Sequence, residues 1–182
     1  MQSDFKTLLK GCRDYDRKAQ RQMVNLLVPF LLSVCRRYEG VPAAAQDLVQ
    51  EALILIFNHI EDCQPEEKPF MGWSKRITIN VCLDKIRKKK IPIEFLESLE
   101  ITNSINPDIF DQLGVEDILL ALNTLPENQR LVFNLFVIDG YTHHEIGEML
   151  QIKESSARTL LTRARASLQN LLTVQEILSH EF

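Results

Sequence analysis

Residues Leu125 to Leu172 read LPENQRLVFNLFVIDGYTHHEIGEMLQIKESSARTLLTRARASLQNLL. Leu125-Pro126-Glu127 puts a proline and an acid at the first turn of a helix, where the missing N–H costs nothing. Asp139-Gly140 then ends that helix, because glycine accepts the left-handed backbone of a C-terminal cap. The whole stretch, Leu125 to Leu172, predicts four short helices.

A second pair of helices follows. Thr142 with Glu145 has the form of a capping box, which opens a helix that runs through Leu150. Gln151-Ile152-Lys153 is the predicted turn, and Gly147 offers a small residue where two crossing helices approach closely. The last two helices therefore form a predicted helix-turn-helix.

The helix that begins at Glu154 has the composition of a DNA-reading helix. Small and hydroxyl residues stand at its front and arginines on its flanks and rear. Short side chains permit close approach to a major groove, hydroxyls bond base edges or phosphates, and arginine binds guanine or the backbone. From spacing alone, the alternative is a plain helical hairpin with a basic, solvated face.

Length and composition bound the class of protein. The 182 residues, 45% of them hydrophobic, allow one or two globular domains. The longest apolar run, Leu26 to Cys35, is too short to span a bilayer, and Met1 to Lys10 has no secretory signal. Because the four cysteines are far apart and form no C-x-x-C pair, we expect reduced thiols in a cytoplasmic protein. These are Cys12, Cys35, Cys63 and Cys82.

The net charge of −4 is divided unevenly along the chain. Residues 1–90 carry 16 Lys and Arg against 11 Asp and Glu, residues 91–125 carry none against 7, and residues 126–182 carry 5 against 7. The acidic stretch from Ile91 to about Val115 contains Pro92, Pro107 and Gly114 and has no sustained periodicity. We predict an extended acidic linker between two modules; an ordinary solvated tether is the simpler interpretation of its acids.

The first module is predicted to be all helical, with segments near Ser3 to Cys12, Arg17 to Glu39, Ala43 to Ile60 and Phe70 to Lys90. Turns are predicted at Gly40-Val41-Pro42 and around Pro65 to Pro69. In the third segment, an apolar stripe is typical of a core-facing helix. The stripe consists of Leu48, Ala52, Leu55 and Ile56. The hydrophobic density of Ala52 to Phe57 suggests that a partner protein also covers this helix.

The fourth segment is aromatic at its start and basic at its end. Arg76, Asn80, Asp84 and Arg87 recur at three- and four-residue steps and so share a face, where Asp84 can pair with Arg87 or Lys88. Aromatics beside cations suit single-stranded nucleic acid, because bases stack on rings while Lys and Arg follow the phosphates. The alternative places Phe70 and Trp73 in the core, followed by a solvated basic tail.

Taken together, these motifs resemble the extracytoplasmic-function (ECF) sigma factors of bacterial RNA polymerase, in the sigma-70 family. Asp47-Leu48-Val49-Gln50-Glu51, followed by Phe57, is similar to the family's polymerase-clamp-binding helix. The Asn80-x-x-x-Asp84-x-x-Arg87 pattern resembles its promoter-opening region. The C-terminal part of the chain resembles the family's fourth region. The matching motifs there are Leu125-Pro126 with Arg130, Asp139-Gly140-Tyr141, Glu145-Ile146-Gly147 and Arg163-Ala164-Arg165.

The resemblance implies an all-α protein of two helical domains: a sigma region 2-like bundle (1–90), the acidic linker (91–115) and a region 4-like four-helix domain (116–182). It implies a transcription initiation factor that binds core RNA polymerase, melts and captures the −10 element, and recognises the −35 duplex. The linker would pass through basic polymerase channels. An anti-sigma protein is an expected regulator, and membrane insertion is not expected.

Site residues follow from the same resemblance. Polymerase binding is expected of Asp47, Leu48, Gln50, Glu51, Ile54 and Phe57. Binding of −10 DNA is expected of Trp73, Lys75, Arg76, Asn80, Arg87 and Lys88, with an unstacked base held by the loop Glu61 to Pro69 and residues near Asn80. Binding of −35 DNA is expected of Lys153, Ser155, Ser156, Arg158, Thr159, Thr162 and Arg163.

Four positions depart from the family's usual pattern. Lys153 replaces a common capping serine, so the helix start frays or uses Ser155. Ala157 replaces a valine, Leu160 replaces a basic residue, and Gln46 stands where a glutamate often precedes the Asp-Leu pair. The −35 sequence preference therefore cannot be transferred from relatives.

Two other functions compete with this interpretation. A stand-alone helix-turn-helix regulator of duplex DNA would leave Asp47 to Phe57 and Asn80 to Lys90 unexplained. The best evidence for an enzymatic function is the group His143, His144, Glu145 and Glu148, in which His144 and Glu148 lie on the same face of the helix. Because no third ligand at metal spacing accompanies them, we expect no metal, no cofactor and no catalytic residue.

Overall fold

The computed structural model describes residues 2–88 and 115–179, and within them the side chains of residues 4–88 and 120–171. The chain divides into two compact units, Met1–Lys90 and Ile91–Phe182. Every regular element of the described residues is helical, which confirms the predicted all-α, two-domain fold. Most of the predicted extended linker, 91–115, lies outside the described residues.

Four α-helices build the first unit: α1 (Gln2–Arg13), α2 (Arg17–Tyr38), α3 (Pro42–Asn58) and α4 (Glu67–Lys88), with a 3₁₀ turn at Ile60–Asp62 between α3 and α4. The segments predicted from the sequence agree with these four helices to within a few residues. Their main error is the start of α4, which begins at Glu67, so Pro69 lies in its first turn instead of ending a loop. Proline is tolerated there because first-turn N–H groups lack helical partners.

The core of the first unit lies between these four helices. Leu48, Ala52 and Ile56 of α3 are buried, as the apolar stripe predicts. The prediction of burial was wrong for Leu55, whose side chain is 36% exposed. The main fully buried side chains of this core from the other helices are Leu9, Met23, Leu27, Leu31, Tyr38, Phe70, Ile79 and Leu83.

Within the described part of the second unit there are four α-helices: α5 (Val115–Thr124), α6 (Glu127–Phe133), α7 (His143–Leu150) and α8 (Glu154–Ser179). Because α5 precedes Leu125, the prediction of four helices between Leu125 and Leu172 was wrong by one. A π-helical turn, Asn134–Ile138, extends α6 to Asp139. Gly140 follows with a φ of +79°, a left-handed conformation that glycine adopts without strain. The predicted helix end at Asp139-Gly140 is confirmed.

The helix-turn-helix is formed by α7 and α8. The Thr142 backbone N–H donates to Glu145 Oε2 at 2.8 Å, and the Glu145 N–H donates to Thr142 Oγ1 at 3.2 Å, so the predicted capping box is present. Gln151 reverses the chain in the left-handed conformation, with a φ of 56°. The second helix is longer than a short recognition helix, since α8 has 26 residues.

One face of α8 holds the second unit together. Ala157, Leu161, Ala164 and Leu168 recur at steps of four and three residues and are buried. They pack against α6 and α7, because these are the main neighbours of α8. On the opposite side of the start of this helix, Ser155, Arg158, Thr159 and Thr162 are exposed. No helix among the described residues is both long and apolar enough to cross a membrane.

Candidate nucleic-acid and protein interfaces

The hydroxyl face of α8 is open to solvent. Ser155, Thr159 and Thr162 are exposed, as is Lys153 in the preceding turn. Thr159 Oγ1 donates to the Ser155 carbonyl at 3.0 Å, and Thr162 Oγ1 donates to the Arg158 carbonyl at 3.1 Å. These hydrogen bonds leave the hydroxyl oxygens outward as acceptors.

Arginines flank this face. Arg163 is half-buried, whereas Arg158 is exposed and forms an ion pair with the Glu154 carboxylate one turn before it. The Arg158 hydrogen bond is the main cause that lowers the pKa of Glu154 below its usual range. The sequence analysis missed this pair, although an acid four residues before an arginine on a helix is its ordinary signal.

His143 packs on an aromatic side chain of the π-helical turn. Its ring stacks on Phe136 with centroids 4.3 Å apart and planes 17° apart, and the Arg165 guanidinium lies 5.9 Å from the centroid of Phe136. Desolvation by burial is the largest cause that lowers the pKa of His143, followed by the charge of Arg158. His143 is therefore part of the packing between α7, the π-helical turn and α8.

The residues that suggested a metal site are engaged separately. His144 Nε2 lies 3.6 Å from Glu148 Oε1, as their shared face predicts, while Glu145 belongs to the capping box. Across the described ranges, no group of three or more His, Cys, Asp and Glu side chains is arranged to hold a metal ion.

The exposed face of α3 combines acids with an apolar centre. Asp47, Gln50 and Glu51 are exposed, and Ile54, which follows them in the next turn, is 62% exposed. Phe57 is half-buried at the end of the helix. Leu48 differs from the other five predicted contacts, because it is only 2% exposed and packs in the interior of the unit.

Phe57 also forms one wall of a cleft of about 530 Å³ between α3 and the start of α2. Arg17, Gln20, Arg21 and Val24 line the opposite wall. Sequence reasoning missed this cleft, since its walls come from helices whose packing no local motif specifies. The cleft brings two arginines near Phe57 at the C-terminal end of α3.

The start of α4 belongs partly to the core and partly to the surface. Phe70 is fully buried and packs on Phe5, with centroids 5.3 Å apart. Trp73 is half-buried against Phe70 at 5.7 Å. Phe70 is therefore a core residue, as the alternative interpretation of the sequence predicted. Part of the Trp73 indole, in contrast, remains accessible to a ligand.

The remaining part of α4 presents a polar face. Arg76, Asn80, Arg87 and Lys88 are exposed, and Lys75 is half-buried. Asp84 pairs with Arg87, one of the two partners predicted from spacing. Guanidinium, ammonium and amide groups thus follow one another along the exposed side of this helix.

The loop before α4 is fastened to α1. Arg13 Nη2 donates to the Cys63 carbonyl at 2.7 Å, and Arg13 Nε donates to the Ile60 carbonyl at 3.2 Å. Lys6 Nζ lies 3.4 Å from Glu66 Oε1. These contacts hold the loop against α1, and sequence reasoning missed them because the partners lie far apart in the chain.

The four cysteines are free and buried. Burial and the charge of Asp16 raise the pKa of the Cys12 thiol to about 11. Cys35 and Cys82 are neighbours, with their sulfur atoms 3.9 Å apart, and the hydrogen bond between them raises the pKa of Cys82. The raised pKa makes the Cys12 and Cys82 thiols poor nucleophiles.

Comparison with known proteins identifies the family. The Sigma-70 region 2 model matches residues 23–91, and the Sigma-70, region 4 model matches residues 116–168. The ECF RNA polymerase sigma factor SigW of Bacillus subtilis is 30% identical, over 94% of this chain and 98% of its own length. The ECF RNA polymerase sigma factor SigE of Mycolicibacterium smegmatis is 34% identical, over 75% of this chain and 54% of its own length.

A solved structure supports the fold. The sigma factor RpoE of Bartonella quintana, in complex with the anti-sigma factor NepR, is 23% identical with a TM-score of 0.53. It covers 85% of this chain, and this chain covers 96% of it. Our chain belongs to the ECF sigma factors of the sigma-70 family. It is a transcription initiation factor that works with core RNA polymerase at promoters, and the alternative of a stand-alone regulator is set aside.

Proposed function

We propose that the first unit docks on core polymerase through α3 and holds −10 DNA on α4, while residues 116–182 read the −35 duplex. The observation that carries the proposal is the exposure of three polar helix faces, on α3, α4 and α8, each backed by a buried apolar face. A stand-alone DNA reader needs only the third of these faces. Residues 91–115 are the proposed linker.

Docking on polymerase uses the exposed side of α3. Asp47, Gln50 and Glu51 lie on the N-terminal side of the exposed Ile54, and an apolar residue next to polar groups is usual at a protein interface. Leu48 supports this face from beneath by anchoring α3 in the core.

Capture of −10 DNA uses the start of α4 and the loop that Arg13 fixes. An unstacked base would lie between the loop and Trp73, where stacking offsets a few kcal/mol of unstacking cost. Arg76, Arg87 and Lys88 would follow the phosphates, with Asn80 offering its amide to a base edge. The predicted contact of Lys75 is at the edge of this surface, since its side chain is half-buried.

Recognition of the −35 duplex uses the start of α8. Lys153, Ser155, Arg158, Thr159 and Thr162 form its exposed side, and Ser156 and Arg163 flank it half-buried. The side chains at this helix end are short except for Lys153 and Arg158, so the backbone can lie close to the major-groove floor.

Three further features complete the proposal. The activity is noncovalent, so it requires no catalytic residue and no cofactor, and it takes place in the cytoplasm, where polymerase acts. The five acids of residues 91–115 would lie in basic channels of the polymerase. An anti-sigma protein would inhibit by covering the same helix faces; the complex of the Bartonella quintana relative with NepR supports this kind of partner.

The decisive experiment titrates labelled protein into bacterial core polymerase and then transcribes a genomic fragment library with and without it. We expect submicromolar core binding together with new, discrete start sites. Duplex binding without any core binding would contradict the assignment of α3 and return the chain to the class of stand-alone regulators.

A further inference from the structure

The first turn of α8 contains an ion pair that the stability of the helix hardly needs. The side chains of Arg158 and Glu154 are 63% and 43% exposed, and such pairs at i,i+4 contribute little to folding. Their position is more informative, because the N-terminal residues of a recognition helix are those that meet base edges.

Arg158 retains hydrogen-bonding capacity while it is paired. A guanidinium has five N–H donors in a planar fork, and Glu154 engages Nη2. No other side chain or carbonyl of the described residues accepts from the remaining donors of Arg158. One edge of the fork is therefore held by the protein and another is open to DNA.

Lys153 provides a contrast within the same turn. It is exposed and forms no salt bridge within the described part of the chain. An ammonium is a point charge that suits a phosphate, whereas the fork of arginine matches the O6 and N7 atoms of guanine. The structure thus leaves the lysine unpaired and gives the arginine a carboxylate partner.

We propose that Glu154 is a positioning residue that keeps Arg158 available for a base edge and withholds it from the phosphate backbone. A phosphate would have to displace the carboxylate or approach it closely, while a guanine can bind the open donors with the pair intact. Glu154 thereby raises the ratio of specific to non-specific binding. This inference rests on the proposed function of α8 as the −35 reader.

The charges around the pair keep the carboxylate ionised. The hydrogen bond and charge of Arg158 hold the pKa of Glu154 low, and His144 and His143 act in the same direction. Glu154 is therefore negative throughout the physiological pH range, and its effect on Arg158 is a permanent feature of the reading helix.

The test compares holoenzymes that carry the wild-type chain, Glu154→Gln or Glu148→Gln. Glu148 is a matched control, because it is an exposed acid of α7 that pairs with His144 instead of an arginine. Each holoenzyme is equilibrated with duplexes randomised through the −35 element and, separately, with a duplex of unrelated sequence at several salt concentrations.

We expect Glu154→Gln to bind the unrelated duplex more tightly and with a salt slope steeper by about one, as one added phosphate contact requires. Discrimination should fall about fivefold or more at one base pair. Glu148→Gln should retain the wild-type base preference. In an Arg158→Ala background, Glu154→Gln should change neither the salt slope nor the base preference.

An unchanged salt slope and base preference in Glu154→Gln would overturn the inference, and so would the same changes in Glu148→Gln. Either result leaves the sigma function intact, because the wild-type holoenzyme would still select a −35 sequence. A wild-type holoenzyme without any base preference in this element would instead contradict the proposed role of α8.

Discussion

Gly147 shows how a single residue permits the helix-turn-helix. A Cβ at this position would lie 2.9 Å from the Ile152 carbonyl oxygen and 3.5 Å from the Glu154 backbone nitrogen. Both neighbours are backbone atoms at the turn and at the start of α8, so neither can rotate away. The absence of a side chain at Gly147 therefore allows α7 to lie this close to the beginning of α8.

Gly147→Ala should destabilise the second unit. Overpacking costs about 1–3 kcal/mol, which exceeds the gain of about 1 kcal/mol in helix propensity. The matched control is Gly72→Ala in α4, where a Cβ would meet nothing within 4 Å. Urea unfolding, with hydrogen exchange read in the helix that carries each substitution, should show a loss of protection in α7 for the first variant and a gain in α4 for the second; equal effects would contradict the crowding argument.

His143 gives the second unit a pH dependence. Its pKa is lowered from 6.5, chiefly by burial, so the unfolded chain binds the proton more readily than the folded one. The stabilising contribution is complete above pH 6.5 and is lost as the pH falls from there through the lower folded-state pKa. The stacking on Phe136 is thus weakest in acid.

We expect hydrogen-exchange protection of α7, corrected for intrinsic rates, to decrease as the pH falls below about 6.5. His143→Phe retains an aromatic ring against Phe136 and cannot titrate, so its protection should vary less over the same range. His144→Gln, on the exposed side of α7, is the control and should behave as wild type. A steep pH dependence that survives in His143→Phe would contradict this assignment.

At the scale of the element, α3 is a helix with two functional sides. One side is buried through Leu48, Ala52 and Ile56, while Ile54 and Leu55 leave apolar surface on the outside. Exposed apolar residues with a charged rim characterise a protein interface. The same helix therefore anchors the first unit and presents the surface proposed for polymerase.

Asp47→Ala or Glu51→Ala should weaken core polymerase binding about fivefold or more, because each removes a charged group next to the apolar centre. Fluorescence titration with core enzyme measures the effect, and binding of the free chain to −35 duplex should remain unchanged. Asp14→Ala removes an exposed acid outside α3 and serves as the control. Wild-type core affinity in both α3 variants would contradict the docking assignment.

At the scale of the whole molecule, the charge is segregated instead of balanced. A chain of net charge −4 combines a first unit rich in Lys and Arg with a strongly acidic stretch from residue 91 to residue 125. Such segregation allows one protein to approach DNA with some surfaces and basic polymerase channels with another. The low overall charge therefore does not conflict with DNA binding.

Replacing Glu94, Glu97 and Glu100 with Gln should weaken core binding about tenfold at low salt, and the difference should shrink as salt screens the charges. The control replaces Asp14, Glu127 and Glu148 with their amides, which changes the net charge equally. Core titration at several salt concentrations compares the two. A loss of the same size in the control would attribute the effect to net charge alone.

The sequence by itself determined the helices, their caps and the two-unit organisation. Periodicity, the capping box of Thr142 and Glu145, and the glycine at position 140 act within a few residues, so local chemistry suffices to predict them. The order of several motifs was also enough to indicate the family. Errors at this level were small, as in the start of α4 and the exposure of Leu55.

Only the tertiary structure decided which predicted site residues reach the surface and what holds them. It decided between core and surface for Phe70, opened the cleft between Arg17 and Phe57, and fastened the loop before α4 to Arg13. These outcomes depend on contacts between helices distant in sequence, and helical periodicity carries no information on which neighbour covers a given face. The pairing of Glu154 with Arg158 depends on both levels. The four-residue spacing in the sequence permits the ion pair, whereas only the structure shows that both side chains are exposed where DNA would bind.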